Sequence, residues 1–94
     1  MKIYQSRSFG RKVKKFNKNQ KARLDEEVKK IVQDPSIGVE KKGYLKVVFV
    51  HKFKIKSLLY LLSYQLISDG IELITIGPHE NYYRSLTSYL KERK

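Results

Sequence analysis

The sequence predicts a single α+β domain spanning residues 1–94. In this fold an N-terminal strand and a helical hairpin pack on a small, mainly antiparallel sheet, and a short C-terminal helix follows. Apolar residues recur at helical spacing in the first third of the chain, then alternate with a period of two from Leu45 onwards. Gly77-Pro78 separates the last apolar run from a final amphipathic stretch. Ninety-four residues without a repeat or linker suit one modest core.

The first segments predict a strand followed by a short helix. Lys2–Gln5 alternates in polarity, as expected of a strand. Ser8 is the expected N-cap of the helix, because its hydroxyl can accept a hydrogen bond from a backbone N–H in the first turn. The spacing of Phe9, Val13 and Phe16 places them on one helical face.

A second helix is expected after the break at Asn17-Lys18-Asn19. Its apolar stripe contains Leu24, Val28, Ile31 and Val32. Asp34-Pro35-Ser36 ends it, because the residue before a proline disfavours the helical region. Two short helices joined this closely are predicted to form an antiparallel hairpin that covers one face of a sheet.

The second half predicts three strands, preceded by a connection over residues 36–44. In the first strand, one face is expected to carry Leu45, Val47, Phe49, His51, Phe53 and Ile55. The other face is expected to carry Lys46, Lys52, Lys54 and Lys56, with Val48 and Val50 between them.

The next two strands form a predicted hairpin. Leu58–Ile67 is apolar on both faces, which is typical of a central strand. Ser68-Asp69-Gly70 is the expected turn, since Asp-Gly tolerates positive φ, and residues 71–76 form the returning strand.

The junction after that strand brings polar residues to a strand end. Gly77-Pro78 is predicted to break the chain, and the final helix then carries Tyr82, Leu86, Tyr89 and Leu90 on one side. Rigid elements can hold polar groups in fixed positions at such a junction. The polar and aromatic residues around it are His79, Glu80, Tyr82, Tyr83 and Arg84.

The charge of the chain favours a polyanionic partner. Twenty-one Lys and Arg against nine Asp and Glu give a formal net charge of +12. The absence of Cys excludes disulfides and thiolate chemistry and fits a reducing cytoplasm. No apolar run approaches the roughly 20 residues of a membrane span. The N-terminus lacks the apolar centre of a signal peptide, so the expected location is cytoplasmic.

The order of elements, with G-P-H-E-N-Y-Y-R-S-L after the last strand, resembles the RelE/ParE superfamily of toxins from bacterial type II toxin–antitoxin systems. D-P-S-I-G-V-E-K-K-G-Y-L, H-K-F-K and L-L-Y-L-L-S-Y in the middle resemble a ParE-like subgroup. The resemblance covers nearly the whole chain. It implies a RelE/ParE-like fold and a small toxin neutralised by a cognate antitoxin. RelE-like members cut mRNA on the ribosome, whereas ParE-like members poison DNA gyrase, and fold alone does not choose between them.

Metal-independent RNA cleavage requires a group that moves protons. The 2′-hydroxyl must lose a proton and the departing 5′-oxygen must gain one, and His is the side chain best suited to this near neutral pH. His79 is therefore the leading acid–base candidate, and RelE-like toxins often place a basic or His residue at this turn. Tyr83 could stack on a base or orient the phosphate, and Arg84 could hold a phosphate bidentately. Alternatively, His79 is a surface residue at a helix start, Tyr83 packs on the sheet and Arg84 is solvated.

The lysines of the first strand of the meander are the expected phosphate-binding groups. Lys52 and Lys54, with Lys46 and Lys56, can neutralise backbone phosphate and stabilise the charge of a phosphorane. RelE-like toxins carry Lys or Arg on the corresponding strand; a solvated strand face is the alternative. His51 alternates with apolar residues, so it is interpreted as a core or edge histidine.

A further cationic cluster in the first helix is expected to bind nucleic acid or an acidic antitoxin segment, or simply to aid solubility. It contains Arg11, Lys12, Lys14 and Lys15, and continues with Lys18, Lys21 and Arg23.

Three functions therefore follow from the sequence. A ribosome-dependent mRNA endoribonuclease (an mRNA interferase), acting on ribosome and mRNA and inhibited by an antitoxin, is the first. The second is a gyrase-directed toxin acting through protein contacts, and the third is a non-catalytic nucleic-acid-binding module. No metal-site spacing or glycine-rich phosphate loop is present in the sequence, so no metal or cofactor is expected.

Overall fold

A computed structural model of the chain describes residues 2–43 and 46–79, which form five strands and two α-helices. Strand β1 is Lys2–Gln5, helix α1 is Arg7–Lys14 and helix α2 is Lys18–Gln33. A 3₁₀ turn at Pro35–Ile37 leads to β2 (Val39–Gly43), β3 (Lys46–Ile55), β4 (Leu58–Ile67) and β5 (Gly70–Pro78). The predicted final helix lies outside the described residues.

The five strands form one mixed sheet in the order β1-β5-β4-β3-β2. β1 runs parallel to β5, and the other three pairings are antiparallel. The predicted α+β class, with a mainly antiparallel sheet and a helical hairpin, is confirmed for these elements.

The prediction of a connection over residues 36–44 is wrong, because it contains β2. This strand is paired with β3 from Val39 opposite Val50 to Gly43 opposite Lys46. Its sequence, V-E-K-K-G, has no apolar alternation, and Val39 is 53% exposed. Backbone pairing with β3, rather than burial of a face, defines this edge strand.

Both helices begin at capping residues. The predicted cap at Ser8 is wrong, because Ser6 occupies that position and its Oγ accepts from the N–H of Phe9 at 3.1 Å. Ser8 Oγ instead lies 3.1 Å from Thr75 Oγ1 on β5. Asn17 caps α2 in a capping box with Gln20, with two hydrogen bonds of 2.8 Å. The break predicted at Asn17 is therefore the N-cap of α2, which begins at the next residue.

The main core lies between the helices and one face of the sheet. Its helical members are Phe9, Leu24 and Ile31, and Val13, Val28 and Val32 pack against the cluster, as predicted. Phe16 also packs against it, but from the connection between α1 and α2 and not from the predicted helical face. The strands contribute Phe53, Ile55, Tyr60, Leu62, Tyr64, Ile71, Leu73 and Ile76. The opposite face carries a second apolar cluster of Val48, Val50, Leu61 and Ile74, each at most 1% exposed.

A buried carboxylate joins α2 to β3 beside the main core. Glu27 is 2% exposed, and its Oε1 accepts from His51 Nε2 at 2.6 Å. Its Oε2 accepts from Lys30 Nζ at 2.9 Å and from Arg23. Burial alone would raise the pKa of Glu27, but the hydrogen bonds from His51, Arg23 and Lys30 outweigh it and lower the pKa to about 2.

The prediction that Gly77-Pro78 breaks the last strand is wrong. β5 continues through both residues, with Gly77 opposite Leu61 and Pro78 opposite Tyr60. β1 pairs only as far as Leu73, so among residues 2–43 and 46–79 no strand lies beside the outer edge of β5 at Pro78. A proline is tolerated at such an edge because its missing N–H removes no bond to a neighbouring strand.

The expectation that Gly70 is needed for a positive φ in the turn is wrong. Gly70 has no positive φ, but a Cβ there would lie 1.9 Å from the carbonyl oxygen of Lys2. The close approach of β1, rather than turn geometry, therefore requires glycine. Neither helix described here, α1 or α2, has the length and apolar character needed to cross a membrane.

Candidate active site

Lys52 and Lys54 lie on the sheet face opposite the main core. They flank Phe53, which faces the helices, and successive side chains of a strand point to opposite faces. Both lysines are exposed. They share their face with Val48 and Val50, so the cationic part of β3 continues directly from the second apolar cluster.

The sheet register brings His79 to the same end of the sheet. Pro78, which precedes His79, is opposite Tyr60, and Tyr60 is opposite Phe53. β3 and β5 are both antiparallel to β4 and thus run in the same direction. Lys54 directly follows Phe53 and His79 directly follows Pro78, so both residues lie just beyond this row of opposed residues. Two strand spacings of about 4.8 Å separate the backbones of β3 and β5, or roughly 10 Å. His79 is exposed and can meet solvent or a ligand.

Lys12 joins these groups, although the sequence placed it only in a helical cluster. Helix α1 continues from β1 along the same edge of β5, and Ser6 N donates to Leu73 O at 3.0 Å. Lys12 Nζ lies 4.0 Å from the position that a Cβ would take at Gly77. Directly opposite residues share a face, and Gly77 is opposite Leu61, which is opposite Lys52. Lys12 therefore reaches the face that carries Lys52 and Lys54.

The environment of Lys12 differs from that of its exposed neighbours. Its side chain is partly buried, whereas Arg11, Lys14 and Lys15 are exposed. Burial, and then the nearby guanidinium of Arg11, lower the pKa of Lys12. Its ammonium is thus a better proton donor than that of an ordinary lysine.

One of the predicted phosphate-binding lysines, Lys56, stands apart from this face. The placement of Lys56 on the strand face is wrong: it lies in the two-residue turn between β3 and β4, with φ of 58°. Lys46 begins β3, but its side chain lies outside the described part. Tyr83 and Arg84 also lie outside the described residues, so their roles stay predictions.

His51 has a structural position on the opposite side of the sheet. Its bond to Glu27 and its ring, which stacks on Phe53 with centroids 5.8 Å apart, place it among the residues under α2. This is the environment expected of a core or edge histidine. Within residues 2–43 and 46–79, no three His, Asp or Glu side chains form a group that could hold a metal ion.

Together the described groups form a candidate site of three cations and one exposed imidazole: Lys12, Lys52, Lys54 and His79. Ammonium groups can neutralise a phosphodiester and stabilise charge that develops on it. Gly77 is the residue in the sequence that hints at the position of Lys12, because a glycine leaves open the space that the Lys12 ammonium approaches. The sequence alone cannot indicate this approach, because it depends on α1 lying beside β5.

Comparisons with known proteins agree with this fold. A family model described as the ParE-like toxin of type II bacterial toxin–antitoxin systems matches residues 3–87. The structure resembles that of the intact E. coli RelBE toxin–antitoxin complex, with a TM-score of 0.64 and 20% identity over 83% of this chain and 95% of that chain. It also resembles the isolated E. coli RelE toxin, with a TM-score of 0.62 and 19% identity over 92% and 95% of the two chains. No curated protein sequence matches the chain.

Proposed function

Since the chain belongs to the ParE-like toxins of type II bacterial toxin–antitoxin systems, we propose that it is a toxin that cleaves mRNA on the ribosome and thereby inhibits translation. The observation that supports this proposal is that Lys52, Lys54 and the exposed His79 lie at the same end of the sheet, with the ammonium of Lys12 close to Gly77 in the strand that leads to His79. A toxin acting only through protein contacts has no need of a partly buried ammonium at the end of the sheet that also carries an exposed imidazole.

In the proposed reaction the 2′-oxygen of a ribose attacks the adjacent phosphorus. His79 takes the proton from the 2′-hydroxyl, while Lys52 and Lys54 neutralise the charge of the phosphorane. The bond between phosphorus and the 5′-oxygen then breaks, leaving a 2′,3′-cyclic phosphate. Lys12 donates a proton to the departing 5′-oxygen, because its lowered pKa favours proton release. Tyr83 is proposed to stack on a base or orient the phosphate, and Arg84 to bind the phosphate.

A translating extract tests this proposal directly. The wild-type protein is expected to cut mRNA at ribosomes, and His79→Ala is expected to abolish cutting while the fold is retained. Lys12→Met should lower the cleavage rate by about 10²–10⁴-fold, the usual contribution of general acid catalysis. Lys29→Met is the matched control, because it removes the same charge from an exposed position on α2 and should cut normally. Normal cutting by His79→Ala would refute the catalytic assignment.

Inhibition of DNA gyrase is the second candidate function, and the match to a ParE-like family model favours it. Linearised plasmid in a gyrase assay, together with unaffected translation, would support it. Steeply salt-dependent binding without an effect in either assay would instead indicate a non-catalytic nucleic-acid-binding module.

A cognate antitoxin is the proposed protein partner. The family is defined by toxin–antitoxin systems, and the charge of +12 suits an acidic antitoxin segment. An adjacent reading frame encoding a small acidic protein that restores translation in the same extract would support this partner.

A further inference from the structure

A cavity of about 400 Å³ lies between the first turn of α2 and the turn that joins β3 to β4. It is on the helical side of the sheet and is thus distinct from the candidate active site. Its volume is within the range of about 300–1,000 Å³ that is usual for small-molecule sites.

The apolar wall of the cavity is formed by Ile55, Leu58 and Tyr60. Ile55 and Tyr60 are each 7% exposed and belong to the main core, whereas Leu58 is 49% exposed. An exposed leucine next to a core tyrosine offers a surface on which a planar ring can pack.

Amide side chains line the other wall. The cap of α2 uses Oδ1 of Asn17 to accept from Gln20 N, so the NH₂ group of Asn17 is not used by that bond. Asn19 is exposed and also lines the cavity. Amide groups both donate and accept hydrogen bonds, which is the chemistry needed to read the edge of a nucleobase.

Two cations complete the rim. Arg23 donates to Glu27 through one nitrogen and retains further N–H groups on the same guanidinium. Lys56 stands on the opposite side of the rim, in the turn between β3 and β4. No ion pair joins Lys56 to an acidic residue within residues 2–43 and 46–79.

We propose that this cavity is a nucleotide-binding subsite, which takes one base of an RNA strand against Leu58 and Tyr60 and its phosphate between Arg23 and Lys56. The subsite rests on the proposed ribonuclease function, since that function supplies the RNA. Ile55 directly follows Lys54 in β3, so the cavity opens at the same end of the sheet as the candidate active site. The carboxylates of an acidic peptide would pair with the cations but would not cover the apolar wall, whereas a nucleotide supplies both a planar ring and a phosphate, so the lining favours a nucleotide.

Titration of the ¹⁵N-labelled protein with the four nucleoside 5′-monophosphates tests the subsite. The NH₂ signals of Asn17 and Asn19 and the backbone signal of Ser57 are expected to shift, with affinities that differ among the four bases. Inorganic phosphate and a hexaglutamate peptide serve as comparison ligands. Equal binding of either one would show a general anion site and overturn the proposal, as would the absence of shifts at these residues.

Two variants and one control sharpen the test. Lys56→Gly removes the ammonium in a conformation that glycine adopts readily, so it should fold and bind nucleotides about tenfold more weakly. Leu58→Glu should also weaken binding, by placing a carboxylate against the base. Lys41→Ala removes an exposed lysine from β2 and should bind as the wild type does. Unchanged affinity in both Lys56→Gly and Leu58→Glu would overturn the subsite.

The titration requires neither ribosomes nor cleavage, so the two proposals can fail separately. Nucleotide binding by a protein that never cuts mRNA would count against the ribonuclease function alone. Cutting by a protein whose cavity ignores nucleotides would count against the subsite alone.

Discussion

Replacement of Glu27 by glutamine perturbs the buried contact between α2 and β3 with almost no change in side-chain volume. The substitution removes the negative charge that accepts hydrogen bonds from His51, Lys30 and Arg23. An amide NH₂ would face at least one of these donors, so the glutamine cannot restore every bond.

The size of the effect follows from the pKa of the carboxyl. The folded protein lowers the pKa of Glu27 from 4.5 to about 2. A difference of about 2.5 corresponds to about 3 kcal/mol at pH 7, since one pKa unit is worth about 1.4 kcal/mol. The unfolded chain binds more protons than the folded one between the two pKa values. This contribution is therefore complete above pH 4.5 and is lost as the pH falls towards 2. At pH 3 about 1 kcal/mol of it remains.

Urea unfolding followed by circular dichroism at several pH values measures this contribution. Glu26→Gln is the matched control, because it makes the same change at an exposed neighbouring position. At pH 7 the free energy of unfolding of Glu27→Gln should lie about 3 kcal/mol below that of the control, and the gap should shrink to about 1 kcal/mol at pH 3. A gap below about 0.5 kcal/mol at pH 7, or one independent of pH, would refute the reasoning.

Three further predictions concern the backbone and one buried hydroxyl. Gly70→Ala should lower the stability by about 2 kcal/mol, or Tm by roughly 10 °C, because its Cβ meets the Lys2 carbonyl; an unchanged Tm would contradict this contact. Tyr64→Phe should cost about 1–3 kcal/mol in urea unfolding, because the Pro35 carbonyl loses the hydroxyl that donates to it at 2.6 Å; a cost near zero would count against that bond. Lys56→Gly should raise the stability by about 0.5–1 kcal/mol in the same assay by relieving a positive φ, and a decrease would show that the turn is not strained.

Local patterns in the sequence predicted most of the elements. The period of two in residues 46–55 and the apolar run of Leu58–Ile67 both became strands, because burial on one or both faces leaves a signal within each segment. β2 left no such signal, since its residues are defined by pairing with β3 rather than by a buried face. The prediction of a break at Gly77-Pro78 was wrong because it, too, depends on how neighbouring strands pair. Proline is a poor strand residue in general, but a free strand edge accepts it.

The candidate site was predicted only in part, because contacts between segments distant in sequence leave no local pattern. Alternation alone placed Lys52 and Lys54 together on one face, and the strand end drew attention to His79. The position of Lys12 depends on α1 lying along the edge of β5, which brings together residues 65 positions apart. The pairing of Glu27 with His51 likewise joins a helix to a strand.

Composition and periodicity thus determined that this chain is a strongly basic, small α+β domain with lysines alternating along one strand. They could do so because the charge of each residue and the spacing of apolar residues can be read within each segment. The tertiary structure alone decided which lysines from different elements lie towards one sheet face, which carboxylate is buried and where a cavity opens. Those properties belong to segments distant in sequence that meet only when the sheet forms in its particular order.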